Sequence, residues 1–153
     1  MEDMNIRRAQ PKDANDIGKL LHDFNAEYDE PTPSPEQLAE RFRALLGKEH
    51  TEVLIAGIEP SGIAVLRFVP SIWSNAQECY LAELYVAPSR RGQGIGRALM
   101  QEVLRTAKER GADYIYLGTS EDDTAARGLY EKFGFTNREG DGGPIMYIYE
   151  KEI

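Results

Sequence analysis

The sequence has very few of the residue types that form disulfides and soft-metal sites. Its 153 residues include a single cysteine, Cys79, and two isolated histidines, His22 and His50. One cysteine excludes an internal disulfide and a cysteine-based metal cluster. Two histidines far apart in the chain do not make a histidine-rich site. We therefore expect no metal cofactor.

Long hydrophobic runs are also missing. No apolar stretch reaches the roughly 18 residues that a membrane-spanning helix needs, and the N-terminal residues lack the apolar core of a signal peptide. The remaining composition is typical of a globular protein, with 41% hydrophobic and 29% charged residues. The length predicts one domain over residues 1–153. We expect a cytoplasmic protein without a membrane partner.

Basic residues are outnumbered by acidic ones. The chain has 18 Lys and Arg against 26 Asp and Glu, and its formal net charge is −8. This balance argues against nucleic acid as a partner, because nucleic-acid-binding surfaces are basic. It is compatible with a cationic substrate, and equally with a charge that only keeps the protein soluble. The local exception is a cluster of arginines around a glycine-rich turn: Arg90, Arg91 and Arg97.

The glycine-rich turn joins an apolar strand to a helix. Gly92, Gly94 and Gly96 follow the strand, and such a turn can lay backbone N–H groups against a phosphate while the helix dipole adds positive potential. A nucleotide P-loop needs a different string, and a dinucleotide fingerprint needs different glycine spacing after the first strand of its unit. A purely structural turn gives no reason for the flanking arginines. The turn therefore predicts a site for a phosphate-bearing cofactor.

Hydrophobic periodicity predicts an α/β (α+β) fold with a mixed sheet and the element order βααβββαβαββ. Ser34, Pro35 and Gln37 supply the N-cap, first-turn proline and capping-box partner of the second helix. The last strand, paired through a turn at residues 139–143, either ends the sheet or pairs across a homodimer. Six of the seven predicted strands have bounds, and the strand before the turn at residues 139–143 has none; the bounds are residues 5–9, 52–58, 63–69, 78–87, 113–119 and 145–153. The first two helices are predicted to begin near residues 11 and 35, and the other two span residues 94–110 and 123–133.

Two motifs resemble those of the GNAT family of N-acetyltransferases. Arg91-Gly-Gln-Gly94-Ile-Gly96 matches the family's Arg/Gln-x-x-Gly-x-Gly/Ala signature, and residues 126–135 are similar to its second motif, which ends in Leu-Tyr-Glu-Lys-x-Gly-Phe. The element order also agrees over nearly the whole chain. The resemblance implies a GNAT-like central sheet, mixed and largely antiparallel, which is splayed at its fourth and fifth strands and has helices on both faces.

The same resemblance implies acetyl-CoA as the cosubstrate. In such proteins the pyrophosphate lies on backbone N–H groups of the signature turn, and the pantetheine arm runs along the backbone of the preceding strand. Asp123 stands where the family often has an asparagine, and it is included among the cofactor contacts. The implied cofactor-binding residues are Leu84, Tyr85, Val86, Arg91, Gly92, Gln93, Gly94, Ile95, Gly96, Arg97 and Asp123.

Glu83 is the candidate general base, because an amine must lose a proton before it attacks a thioester. Strand alternation predicts that Leu81, Glu83 and Tyr85 share one face, where apolar neighbours would raise the pKa of the carboxyl. The alternative is a structural ion pair with Arg67 on the preceding strand. Glu78, near the start of the strand, is a second candidate base.

Tyr130 is the candidate general acid. The family resemblance places this tyrosine near the thioester sulfur, where its hydroxyl would protonate the leaving thiolate. The sequence alone also allows Tyr130 to be a core aromatic residue on an amphipathic helix.

The connection between the first two helices, which usually borders the acceptor site in this family, is acidic here. Glu27, Tyr28, Asp29 and Glu30 combine carboxylates with an aromatic ring, which suits a cationic amine. Trp73 either lines the acceptor pocket or anchors its own loop. Residues 114–130 loosely resemble aminoglycoside 3-N-acetyltransferases, so we expect a small cationic amine such as an aminoglycoside or a polyamine. The alternatives are acetylation of peptide or protein amines, and an acetyl-CoA-binding module without catalysis.

Overall fold

The computed structural model describes residues 5–153. The chain forms two compact units, one ending at Leu117 and the other spanning Gly118–Ile153. The expectation of one domain over the whole chain therefore stays a prediction. Among the described residues, no helix has the length and apolar character required to traverse a bilayer.

The first unit holds a five-stranded sheet in the spatial order β1-β2-β3-β4-β5. The pairs β1–β2, β2–β3 and β3–β4 are antiparallel, whereas β5 runs parallel to β4. This mixed, largely antiparallel sheet confirms the predicted fold class. The elements are β1 Ile6–Arg8, α1 Ala14–Glu27, α2 Pro35–Leu45, β2 Thr51–Ala56, β3 Gly62–Pro70, β4 Gln77–Val86, α3 Ile95–Glu109 and β5 Ala112–Tyr116.

The start of α2 follows the predicted side-chain signals. The Ser34 hydroxyl accepts a hydrogen bond from the Gln37 backbone N–H at 3.1 Å, and the Gln37 side chain accepts one from the Ser34 N–H at 2.9 Å. Pro35 occupies the first helical position, where its missing N–H costs nothing. This reciprocal cap fixes where α2 begins.

Helices cover both faces of the sheet. On one face α1 and α2 pack against β2, β3 and β4 in a buried cluster. On the other face lies α3, since a Cβ added to Gly62 of β3 would come within 3.1 Å of the side chains of both Ile95 and Leu99. The cluster on the α1/α2 face comprises Ile17, Leu20, Leu21, Phe42, Val53, Ile55, Ile63, Val65 and Tyr85.

Strands β4 and β5 diverge, as the predicted splay requires. Strand β4 pairs with β3 along its whole length, but its pairing with β5 extends only from Gln77 to Tyr80. Within the described part of the chain, no strand pairs with the other edge of residues 81–86. The backbone groups along that edge are therefore available to a ligand, apart from the Val86 carbonyl, which accepts a hydrogen bond from Arg91 Nε.

A β-bulge at Ala82 changes the side-chain alternation of β4. Glu83 lies opposite Val65, whereas Leu81 lies opposite Leu66, so Ala82 is an extra residue on this strand. Because directly opposed residues share a face and Val65 and Leu66 point to opposite faces, Leu81 and Glu83 do too. The prediction that Leu81 shares a face with Glu83 and Tyr85 is therefore wrong: Glu83 and Tyr85 face α1 and α2, and Leu81 faces α3.

Gly18 of α1 lies against the backbone of α2. A Cβ at this position would lie 2.3 Å from the Pro35 carbonyl oxygen and 3.0 Å from the Ala39 nitrogen. We expect Gly18→Ala to lower the free energy of unfolding by about 1–3 kcal/mol, because backbone atoms must move to admit the methyl group. Thermal or urea unfolding measures this loss.

The matched control for Gly18→Ala is Gly47→Ala. A Cβ at Gly47 would meet only the Ala44 carbonyl oxygen, at an ordinary 3.7 Å. Equal stabilities of the two variants would contradict the tight α1–α2 contact.

The second unit contains one helix, α4, Thr124–Lys132. The predicted final strand at residues 145–153 is wrong in this structure. Ile145 forms one isolated bridge with Arg138, and residues 146–153 have no strand conformation. A strand needs a ladder of backbone hydrogen bonds with a partner, and apolar alternation in the sequence does not supply that partner. The sheet therefore has five strands among the described residues, and the final segment supports no prediction of a homodimer.

Candidate active site

The candidate site lies where β4 ends and α3 begins. Between these elements the chain makes a 3-10 turn over Pro88–Arg90 and then passes through Gly92 and Gly94. The two glycines have φ angles of +76° and +86°, in the left-handed region. Because a Cβ is disfavoured there, glycine is needed at both positions to bring the chain round into the helix.

The first turn of α3 presents backbone donors without a side-chain cap. Gly94 is the N-cap of this 15-residue helix and has no side chain that could accept from the first N–H groups, those of residues 95–97. Such groups also lack partners within the helix, and the helix dipole is positive at this end. The arrangement suits an anion such as a pyrophosphate, which is the group that the family resemblance implies here.

The Arg91 side chain joins the turn to two other elements. Its Nη1 and Nη2 donate to the two carboxylate oxygens of Glu27, both at 2.8 Å, and its Nε donates to the Val86 carbonyl oxygen at 2.9 Å. The hydrogen bond with Arg91 lowers the pKa of Glu27, and the hydrogen bond with Glu27 raises the pKa of Arg91, so both groups stay charged. No local sequence pattern predicts this pair, whose members are 64 residues apart.

Tyr85 supports this pair from the core. Its ring is 5% exposed and stacks on Phe24 with 4.7 Å between centroids, and its hydroxyl donates to Glu27 at 3.3 Å. The Arg91 guanidinium carbon lies 5.6 Å from the centre of the same ring. Burial, followed by the negative charge of Glu27, raises the pKa of Tyr85.

Glu83 is a partly buried carboxyl with no opposite charge beside it. It lies on the α1/α2 face, opposite Val65 and two residues before Tyr85. Desolvation by burial raises its pKa above the ordinary value of 4.5. The alternative ion pair does not form: Arg67 lies opposite Tyr80, and no salt bridge to Glu83 exists among the residues that the structure describes. The geometry is that of a potential base, since a raised pKa favours proton acceptance near neutral pH.

The predicted acceptor residues at the end of α1 have different surroundings. Glu27 is paired with Arg91, so its negative charge is compensated by the guanidinium. Tyr28 is 54% exposed and contacts Phe24 edge-on. Asp29, with φ of +53°, ends the helix in the left-handed region. Of the predicted carboxylates, Asp29 and Glu30 therefore remain as unpaired charges among the described residues.

Trp73 lies apart from these acceptor residues. It belongs to the β3–β4 connection, at the opposite end of β4 from the glycine-rich turn, and the ten residues of β4 span about 30 Å. Its side chain is 86% exposed, so it does not anchor the loop. The structure does not bring Trp73 together with Glu27, and a role in acceptor binding stays a prediction.

The remaining predicted residues belong to the second unit. The Asp123 side chain caps α4 by accepting from the Ala126 N–H at 3.1 Å. The Tyr130 ring lies in α4, with its centroid 6.0 Å from that of Phe135. The assignments of Asp123 to the cofactor and of Tyr130 to proton donation stay predictions.

Comparison with known proteins decides the family. The sequence model described as Acetyltransferase (GNAT) family matches residues 17–135, which include the glycine-rich turn, Glu83 and Tyr130. The chain belongs to the GNAT acetyltransferase family. It is an acyl-CoA-dependent N-acetyltransferase.

Curated relatives of this GNAT cover almost its full length. It is 26% identical to the thialysine N-epsilon-acetyltransferase of Mus musculus, over 99% of this chain and 95% of that protein. It is 32% identical to an uncharacterized N-acetyltransferase of Bacillus subtilis (strain 168), over 94% and 95%.

Solved structures agree with this fold. A putative acetyltransferase from Arthrobacter sp. FB24 is 42% identical, with a TM-score of 0.91 and coverage of 97% of this chain and 96% of the other. An aminoglycoside acetyltransferase from an uncultured soil metagenomic sample, in complex with sisomicin, has a TM-score of 0.78 at 19% identity, over 97% and 96%. At that identity the second likeness shows the fold alone.

GNAT acetyltransferases use acetyl-CoA, and the residues of this GNAT fit such a molecule. The uncapped amides of α3 suit the pyrophosphate, and the unpaired edge of residues 81–86 suits amides that add to a strand. Arg91 is among the predicted cofactor contacts, but its guanidinium already donates hydrogen bonds to Glu27 and to the Val86 carbonyl.

Proposed function

We propose that this GNAT transfers the acetyl group of acetyl-CoA to a primary amine of a small cationic molecule, with Glu83 as general base and Tyr130 as general acid. The observation that carries the proposal is the partly buried Glu83 carboxyl, whose pKa is raised by burial, on the strand that leads into the glycine-rich turn. A proton acceptor and an anion site thus lie on consecutive segments of one chain.

The residues that would hold acetyl-CoA are mainly backbone groups. The N–H groups of residues 95–97 would bind the pyrophosphate. The unpaired edge at Leu84, Tyr85 and Val86 would pair with the pantetheine amides through backbone groups other than the Val86 carbonyl, which accepts from Arg91. When bound, acetyl-CoA supplies an acyl thioester that an amine can attack.

Glu83 would take a proton from the ammonium form of the acceptor, directly or through a water. The freed nitrogen lone pair would form the new C–N bond as the C–S bond breaks, and Tyr130 would donate its phenolic proton to the departing thiolate. The nitrogen would then lose its second proton, which would restore the Tyr130 phenol directly or through water, and the proton gained by Glu83 would pass to solvent. The two side chains thereby keep the charges balanced through the transfer.

A small cationic acceptor is supported by the acidic end of α1 and by the overall charge of −8. Asp29 and Glu30 would attract the cation, and Tyr28 would offer it a ring face. The relatives from mouse and Bos taurus are thialysine N-epsilon-acetyltransferases, the second 30% identical to this chain over 88% of its length. The substrate in their names carries a primary side-chain amine, so it belongs to the class of small amines proposed for this protein.

An amine panel tests this proposal. We expect acetyl-CoA-dependent thiol release with one or more of thialysine, lysine, spermidine and sisomicin, at a higher kcat/KM than with a peptide that has only its N-terminal amine. Reactions without amine serve as the blank.

The alternatives give different results in the same panel. Turnover with the peptide alone would replace the small amine by a protein acceptor. Calorimetry that shows CoA binding, together with no turnover on any amine, would indicate a binding module and contradict the proposed catalysis.

A further inference from the structure

The hydrogen bonds of Arg91 hold three segments of the first unit together. Its guanidinium fork bonds both oxygens of Glu27 at the end of α1, and its Nε bonds the Val86 carbonyl at the end of β4. Arg91 itself begins the glycine-rich turn. Bidentate pairs of this kind are among the strongest and most directional side-chain contacts.

Glu27 also contacts a residue of the core. The Tyr85 hydroxyl donates to the same carboxylate, and the Tyr85 ring is buried against Phe24. Glu27 therefore has a second hydrogen-bond partner, on the side of the core, besides Arg91. The turn that follows Arg91 loses more conformational entropy on ordering than other sequences would, because Gly92 and Gly94 have more accessible backbone conformations than other residues.

We propose that Glu27 is a positioning residue for the cofactor: through Arg91 it holds the glycine-rich turn against the end of β4, so that the amides of α3 are ordered before the pyrophosphate binds. This inference rests on the proposed function, because it takes the turn as the pyrophosphate site. Ordering the turn in advance removes an entropic cost that binding would otherwise include.

Two simpler roles compete with this one. In the first, Arg91 binds the pyrophosphate directly by its charge; in the second, Glu27 binds the cationic amine. The three roles predict different effects of the same substitution, Glu27→Gln, which removes the carboxylate charge and preserves the side-chain size.

The decisive measurement is CoA affinity by isothermal titration calorimetry on the full chain. We expect Glu27→Gln to raise the Kd for CoA about tenfold, because the bidentate ion pair with Arg91 is lost and the glycine-rich turn must then be ordered on binding. The KM for the amine should stay as in the wild type. With S-acetylpantetheine, which has no pyrophosphate, the variant should react as well as the wild type.

Each of the two competing roles predicts a different result for Glu27→Gln, and either result would overturn the proposal. If Arg91 acts directly by its charge, Glu27→Gln frees that charge and tightens CoA binding. If Glu27 binds the amine, the KM for the amine rises and the Kd for CoA does not change.

A double-mutant cycle and a control complete the experiment. Arg91→Lys removes the fork, so it should weaken CoA binding about as much as Glu27→Gln, and the double variant should be little worse than either. Additive losses would contradict the coupling between Glu27 and Arg91.

The control variant is Glu40→Gln, at an exposed position of α2, which should leave the Kd for CoA unchanged. Should Glu27→Gln fail to fold, Glu27→Asp, whose carboxylate is one methylene further from Arg91, gives the same comparison when it is measured with CoA and with S-acetylpantetheine. Absence of CoA binding by the wild type would instead refute the proposed function.

Discussion

Replacing Glu83 by glutamine is expected to lower kcat/KM for the amine by roughly 10²- to 10⁴-fold near neutral pH, the range for loss of a general base. Glutamine has nearly the same shape but cannot accept the proton. The Kd for CoA should not change, because Glu83 is assigned to the acceptor's proton and not to the cofactor. Steady-state kinetics combined with calorimetry separates the two effects.

The pH dependence identifies the role more sharply than the rate does. In the wild type, kcat/KM should fall as the pH falls through the pKa of Glu83, which burial raises above 4.5, because the base becomes protonated. In Glu83→Gln, kcat/KM should instead follow the ionisation of the amine itself, with a pKa of about 10, because only the neutral amine can attack. The loss should therefore shrink as the pH rises towards that value.

Glu78→Gln is the matched comparison, since it makes the same change near the start of the same strand. Glu78 lies opposite Val69 and Tyr114, eight residues from the end of β4. If Glu78 is the base, the fall of kcat/KM at acid pH disappears in Glu78→Gln and not in Glu83→Gln, and the assignment of Glu83 is wrong. An unaltered pH profile in both variants would remove both carboxylates from the mechanism.

Stability should change in the opposite direction to activity. Because the pKa of Glu83 is raised in the folded state, folding is penalised by its charge above that pKa, and the penalty disappears as the pH falls below 4.5. Glu83→Gln removes the charge, so at neutral pH it should melt at or above the temperature of the wild type. The difference should vanish in acid.

Gly94→Ala is expected to weaken CoA binding by at least about tenfold. Gly94 has φ of +86° at the N-cap of α3, and alanine pays roughly 1–2 kcal/mol in that region. Relief of this strain would turn the N–H groups of the first helical turn away from their common direction. Calorimetry with CoA measures the loss of affinity.

Gly111→Ala is the control for backbone strain. Gly111 has φ of +82° just beyond the other end of α3, and a Cβ there would meet no described atom within 4 Å. Both variants should lose similar stability, whereas only Gly94→Ala should lose affinity for CoA. Wild-type affinity in Gly94→Ala would contradict the assignment of the turn to the pyrophosphate.

Local features of the fold were predictable because they depend on residues close together in the chain. The cap of α2 is complete within Ser34 to Gln37, and the left-handed turn before α3 is specified by its own glycines. The family motif around Arg91 belongs to the same category. Each of these features needs only local geometry, so neighbouring residues suffice to indicate it.

Features that depend on a partner strand were not predictable. The bulge at Ala82 appears only when β4 is aligned with β3, and it moves Leu81 to the opposite face from Glu83. Strict alternation cannot reveal an extra residue. The predicted strand at residues 145–153 failed for a related reason, since its apolar pattern does not determine whether a ladder partner exists.

The sequence by itself determined the fold class, the family and the glycine-rich turn, because contiguous motifs and hydrophobic periodicity carry that information. Only the tertiary structure decided which charges are available for chemistry. It left Glu83 without an ion pair and joined Glu27 to Arg91 across 64 residues of chain. Pairing between charged side chains depends on which surfaces folding brings together, and sequence neighbours do not determine this.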